Sequence, residues 1–202
     1  MVEIQLSNVS KRYDFQWILR DINTSFTDAQ VVAIAGNNGS GKSTLVKILS
    51  GFLSPSQGTL AYIIGDKRIS TSEIFKHIAL AAPYTDLINE FTLDEMLRFH
   101  SKFKPLRQQV SIEAFQDIIQ LKVPQDKQLF QFSSGMKQKI QLALAILSDT
   151  SILLLDEPTS FLDTNAKKWF AELLQQNTQN RCVIIASNDS FDLDLCERAL
   201  YL

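Results

Sequence analysis

Cysteine is scarce in this 202-residue chain: there are only Cys182, inside an apolar run, and Cys196, near the end. That spacing matches neither a metal site nor a disulfide framework, so both read as bystander thiols. Neither sign of charge dominates. The 20 Lys and Arg set against 22 Asp and Glu leave a formal charge of -2, so no global field draws the chain to nucleic acid or anionic lipid. Long apolar runs are missing as well. The longest uncharged stretch, residues 48–65, is interrupted by Ser50, Gly51, Ser54, Pro55, Ser56, Gln57 and Gly58 and cannot present a continuous apolar helix to lipid. Residues 1–10 carry Glu3 and lack the basic-then-apolar order of a signal peptide, so the expected location is the cytosol. His77 and His100 have no second ligand at metal spacing and read as structural. Trp17 and Trp169 lack a basic, aromatic-interleaved groove, which excludes nucleic acid from the expected partners. Repeats, low-complexity tracts and linkers are also absent.

What remains is an ordinary globular composition, 45% hydrophobic and 21% charged, in a chain long enough for one core with room for a subdomain. Alternation at Glu3-Ile4-Gln5-Leu6 and the run over 22–26 suggest short, half-buried antiparallel strands, and Asp28-Ala29-Gln30 reads as the following turn. Val31-Val32-Ala33-Ile34-Ala35 has the continuous pattern of a strand buried on both faces in a parallel sheet. After a glycine-rich loop, Leu45, Ile48 and Leu49 recur at helical spacing up to Gly51. Strands are expected over 59–64 and 78–82.

From about residue 86 the period becomes helical. Thr92 with Glu95 is a capping box ahead of Leu93, Met96, Leu97 and His100. Ile112, Phe115, Ile118 and Ile119 mark a second helix, and a third starts near Ser133 or Ser134. Strand pattern returns over 152–155 and 182–186, around an amphipathic segment holding Phe170, Leu173 and Leu174. The expected fold class is α/β with an inserted helical subdomain at about 86–150, and the core and β subdomain at about 1–85 and 151–202.

Gly36-Asn37-Asn38-Gly39-Ser40-Gly41-Lys42-Ser43 fits G-x-x-x-x-G-K-[ST] between an expected strand and an expected helix. The glycines let successive backbone N–H groups turn toward phosphate oxygens, and the helix N-terminus adds partial positive charge. Lys42 can neutralise β and γ oxygens, and Ser43 would hold Mg²⁺. By itself the motif names a phosphate-loop nucleotide binder, not a reaction. Leu153-Leu154-Leu155-Asp156-Glu157 is a buried strand ending in two carboxylates. Asp156 would reach the magnesium sphere and Glu157 would polarise an attacking water. Without the glycine loop, the same pair could equally be a solvated acidic strand end.

Phe132-Ser133-Ser134-Gly135-Met136-Lys137-Gln138, followed by Asp156-Glu157-Pro158-Thr159-Ser160-Phe161-Leu162-Asp163, closely resembles the ATP-binding cassette (ABC) ATPases over nearly the whole chain. The resemblance implies a P-loop NTPase core of RecA-like type, with a small antiparallel β subdomain and a helical subdomain. It implies ATP and Mg²⁺ as cofactors, with phosphate contacts running on to Thr44. It also implies that two such domains, alike or different, pair head to tail, so that Ser133, Ser134 and Gly135 of one close on the nucleotide of the other. A helix start near Gly135 would offer N–H groups and a positive dipole end to a γ-phosphate. Alone, the Ser-Ser-Gly-Met segment reads as a helix cap. Leu162-Asp163 resembles the D-loop that touches the partner's site, where a solvated helix-start aspartate is the plainer reading. Tyr13 takes the place of the aromatic on which adenine stacks, ahead of Phe15 or Trp17.

Two positions depart from the family pattern. Tyr84 stands where a Gln is usual, and its phenol cannot copy a carboxamide. Asn188 stands where a His is usual; it can donate to a γ-phosphate oxygen but carries no exchangeable charge near neutral pH. With Glu157 intact, slowed turnover is expected. The resemblance implies a stand-alone ATPase subunit of exporter type, peripheral at the inner face of the cell membrane, lending its closure to integral membrane transporter subunits. A soluble non-transport ABC ATPase and a nucleotide-sensing regulatory subunit remain the alternatives.

Overall fold

A two-residue turn at Asp14 and Phe15 joins β1 (Val2–Tyr13) to β2 (Gln16–Thr27) in the computed structural model, which describes residues 1–28 and 30–202. These strands are 12 residues each, much longer than the alternation suggests. The register slips between Leu6 and Val9 and again between Val9 and Lys11, and Asn8 and Asp21 take φ of 52° and 48°. Such bulges break the two-residue period that reveals a strand in sequence. The turn expected over 28–30 includes Ala29, which lies outside the described residues.

The chain divides into two compact units. The first comprises Met1–Leu80, Thr150–Glu157 and Thr178–Leu202 and holds two sheets. In one, β4 (Gln57–Ile64) pairs with β1 and β5 (Lys67–Ile69) with β4, giving the antiparallel order β2-β1-β4-β5. The other has the order β6-β7-β8-β3-β9, formed by β3 (Val31–Ala35), β6 (Ile78–Ala81), β7 (Ile152–Asp156), β8 (Cys182–Ser187) and β9 (Arg198–Tyr201). β8 runs parallel to both β7 and β3, and β3 parallel to β9. Every residue of β7 and β8 is buried, which accounts for their unbroken apolar sequence.

The helix α1 (Lys42–Leu49) follows β3 and packs on β7 and β8. Leu45, Ile48 and Leu49 join Ile34, Ile152, Leu154 and Ile184 in one apolar cluster. Each such side chain contributes about 1.5–3 kcal/mol by leaving water. Tyr62 is buried with them, its hydroxyl donating to the carbonyls of Ile48 and Leu49, and burial pushes its pKa up to about 12. β5, β9 and the short α6 (Ser190–Asp194) are absent from the sequence reading; each has five residues or fewer, too few to show a period.

The second unit comprises Ala81–Asp149 and Pro158–Asn177. It contains α2 (Leu93–Phe103), α3 (Ile112–Ile118), α4 (Ser134–Leu147) and α5 (Thr164–Gln175), with α4 packed on α5. Local capping chemistry sets every start. Thr92 and Glu95 form the expected capping box, and Ser111, Ser133 and Asp163 each accept an N–H from the first turn of their helices. Trp169 donates from Nε1 to the Ile118 carbonyl at 2.6 Å, and Lys139 lies 4.8 Å from its ring centroid. Among the described residues, no helix is long and apolar enough to cross a membrane.

Candidate functional site

The glycine loop leaves β3 at Gly36 and enters α1 at Lys42. Gly41 caps α1 with φ of 105°, a left-handed conformation, and a Cβ there would lie 2.8 Å from Leu19 Cδ2. Gly39, with φ of 84°, has nothing within 4 Å of where a Cβ would stand. The cradle is thus tight against β2 on one side and open at its tip. No side chain caps α1 and no acidic residue lies in its first turn, so its N–H groups and positive dipole end are available to an anion. Ser40 Oγ is buried with no hydrogen-bond partner, a polar atom that a phosphate oxygen would satisfy.

Lys42 is almost entirely buried, 5% exposed, and its amine donates to the carbonyls of Gly36 at 2.9 Å and Asn37 at 3.3 Å. Its third neighbour is Glu157 Oε1 at 3.3 Å. Three N–H donors therefore meet three oxygens, and any further acceptor reaching this amine would have to displace one of them.

Asp156 ends β7 fully buried, and Glu157 follows it with φ of 48°, unusual for a residue with a Cβ. Strain of about 1–3 kcal/mol in such a residue persists only where its surroundings enforce it. Here the Glu157 N–H donates to the Ala186 carbonyl of β8 at 2.8 Å. The neighbouring β8 residue, Ser187, places Oγ 3.3 Å from Glu157 Oε2. Asn188, one residue further, donates from Nδ2 to Asn38 Oδ1 at 3.0 Å, tying the end of β8 to the glycine loop.

The first unit thus brings together Gly36, Asn37, Asn38, Gly39, Ser40, Gly41, Lys42, Ser43, Thr44, Asp156, Glu157 and Asn188. Ser43 and Thr44 lie in the first turn of α1. Tyr13 ends β1 as an exposed residue, with Lys11 Nζ 5.4 Å from its ring centroid. Ser187 is the residue missed by sequence reasoning; its contact with Glu157 spans 30 positions, and no local spacing signals it.

The remaining candidates belong to the second unit. Ser133 is the N-cap of α4, accepting the Met136 N–H at 3.2 Å, so the helix begins at Ser134, one residue before Gly135. Asp163 caps α5 the same way, at 2.8 Å from the Ala166 N–H, and stays exposed. Tyr84 sits in the turn closed by Thr85, whose hydroxyl donates to the Ala82 carbonyl at 2.8 Å.

Among the described residues, no group of three or more His, Cys, Asp or Glu could hold a metal on its own. Ser43 and Asp156 suit a different arrangement, in which Mg²⁺ takes one protein carboxylate, a hydroxyl and phosphate oxygens.

A glycine-lined cradle between a parallel strand and an uncapped helix, with a buried lysine and a strand-end carboxylate pair, defines a P-loop nucleotide-binding domain. The ABC transporter family model matches residues 19–160, and the chain belongs to that family, as an ABC ATPase domain. It is 32% identical over 88% of its length to mouse ATP-binding cassette sub-family A member 17. It is 30% identical over 95% of its length to the human phospholipid-transporting ATPase ABCA7. The chain spans about a tenth of these relatives, 10% of the first and 9% of the second.

Two solved structures share the fold. A putative ABC transporter ATP-binding protein from Pyrococcus furiosus has a TM-score of 0.81 at 22% identity, covering 99% of this chain and 97% of that one. A dimeric ATP-binding cassette in a post-hydrolysis state, bound to ADP and Pi, has a TM-score of 0.83 at 23% identity, covering 98% and 94%.

Proposed function

We propose that this chain is the Mg-ATP-binding and hydrolysing subunit of an ABC transporter, which closes head to tail with a second such domain and thereby drives partner membrane subunits. The observation that carries the reading is the Lys42 amine, buried beneath an open glycine cradle and opposed by Glu157. A triphosphate entering the cradle takes over the carbonyl and carboxylate contacts of Lys42, and the freed Glu157 polarises an attacking water. Ser43 and Asp156 would hold Mg²⁺, which when bound neutralises charge developing on the β and γ oxygens. The backbone N–H groups of residues 37–42 orient the phosphates, and Thr44 extends those contacts. Tyr13 offers its exposed ring to adenine. Asn188 can exchange Asn38 for a γ-phosphate oxygen, and Tyr84 stands at the sequence position where the family usually has a carboxamide.

In the closed pair, Ser133, Ser134 and Gly135 of one copy face the nucleotide held by the other, with Asp163 alongside. The subunit would act at the cytoplasmic face of a membrane. The family membership and the dimeric ADP-and-Pi neighbour support this reading.

Equilibrium titration of the purified chain with Mg-ATP, followed by phosphate release, tests its base. Binding below millimolar concentration with slow release is expected. Indifference to millimolar Mg-ATP refutes it. Co-purification with a polytopic membrane protein tests the transport half separately.

A further inference from the structure

Glu157 is approached at both carboxylate oxygens by different groups. Oε1 faces Lys42 Nζ and Oε2 faces Ser187 Oγ, each at 3.3 Å. Lys42 has phosphate oxygens as an alternative. Ser187 is tied into its own surroundings: fully buried at the end of β8, it accepts the Asp189 N–H at 3.1 Å and lies 2.7 Å from Oδ2 of Asp192 in α6, itself fully buried. A hydroxyl has one proton and two lone pairs. With an N–H on one lone pair and a carboxylate on either side, that proton is shared between Asp192 and Glu157. The 2.7 Å contact is the shorter of the two, so it fixes where the Ser187 oxygen stands.

We propose that Ser187 is a positioning residue for Glu157. Anchored by Asp189 and Asp192, its hydroxyl keeps Oε2 toward β8. Once Lys42 turns to a nucleotide, Oε1 is therefore the oxygen presented to water. One proton serves only one carboxylate at a time, so when Lys42 leaves, the Ser187 proton swings from Asp192 to Oε2, while the Asp189 N–H holds the Ser187 oxygen in place. This inference rests on Glu157 as the water-polarising group.

The test compares the 202-residue wild-type chain with Ser187→Ala, Ser187→Cys and Glu157→Gln. The Cys variant keeps nearly the same volume with a weak donor. Phosphate release should fall roughly ten- to hundredfold in kcat for Ser187→Ala and Ser187→Cys, with KM for ATP within about twofold, as for one lost hydrogen bond to a charged group. A crystal structure of either variant should show Oε2 displaced by about 1 Å or more from its place beside β8. Wild-type kcat in both Ser187 variants, or an unmoved Glu157 carboxylate in their crystals, overturns the inference. A Glu157→Gln chain that turns over at the wild-type rate overturns instead the reading of Glu157 on which it rests. The crystal comparison reads the positioning even if the isolated chain turns over too slowly to measure.

Discussion

Lys42 Nζ and Glu157 Oε1 pair at 3.3 Å, with the lysine side chain 6% exposed and the carboxylate 25%. On the proposed function a nucleotide and Glu157 compete for the same amine, so neutralising the carboxylate should help ATP bind while abolishing its use. Glu157→Gln is expected to bind ATP about two- to fivefold more tightly, the size of a partly screened ion pair. It should release phosphate at least about a hundredfold more slowly. Calorimetric titration reads the first effect and a coupled phosphate assay the second. Asn188→Ala should lose less rate than Glu157→Gln, because Asn188 contributes one neutral hydrogen bond. The reverse ranking would remove Glu157 from its assigned role.

Gly41 and Gly39 separate the backbone requirement from the phosphate requirement. At Gly41 a Cβ would meet Leu19 Cδ2 at 2.8 Å and Ile18 Cγ2 at 3.0 Å, in addition to its positive φ. Gly41→Ala should cost about 2–4 kcal/mol in urea unfolding, from strain and overpacking together. Gly39→Ala has open space and should cost only about 1 kcal/mol. The methyl would still stand in the cradle, so its ATP affinity should fall by more than its stability does. Equal unfolding midpoints for the two variants would contradict the tight packing seen at Gly41.

The contrast between these glycines also shows what sequence could reveal. The G-x-x-x-x-G-K-S spacing is local, and so are the capping box at Thr92 and Glu95 and the unbroken runs of β3, β7 and β8; each was legible because neighbouring residues alone specify it. The full length of β1 and β2 was not, because bulges at Asn8 and Asp21 scramble the alternation. The cap at Ser133 was readable, while the contact of Ser187 with Glu157 was not, since it depends on β7 and β8 lying side by side. The Asn188 to Asn38 link crosses 150 positions and likewise depends on the sheet order.

His100 gives the second unit a pH dependence. Its Nε2 lies 2.8 Å from Ser148 Oγ, and that hydroxyl already donates to the Leu144 carbonyl, so the ring must donate. Burial first and the nearby Lys104 charge second lower its pKa to about 4, against 6.5 in the unfolded chain. Between those values the unfolded state binds the extra proton, so stability falls as pH drops from about 6.5 toward 4. Urea unfolding of the wild type should show that decline, and His100→Gln should flatten it. An unchanged slope in the variant would mean that other groups carry the dependence.

Ser133 and Ser111 are matched N-caps, each accepting a first-turn N–H at 3.2 Å. Replacing either by Ala should therefore cost a similar amount of stability, about 0.5–2 kcal/mol. Their proposed roles differ: only Ser133 stands at a helix start assigned to the nucleotide of a second copy. In a Glu157→Gln background, where the proposed slow hydrolysis would preserve the proposed closed pair, sedimentation with ATP should show Ser133→Ala losing dimer while Ser111→Ala keeps it. Comparable thermal shifts in both variants would confirm that the cap loss is shared, leaving the dimer difference to the γ-phosphate contact. If both variants dimerise alike, the α4 start serves only its own helix.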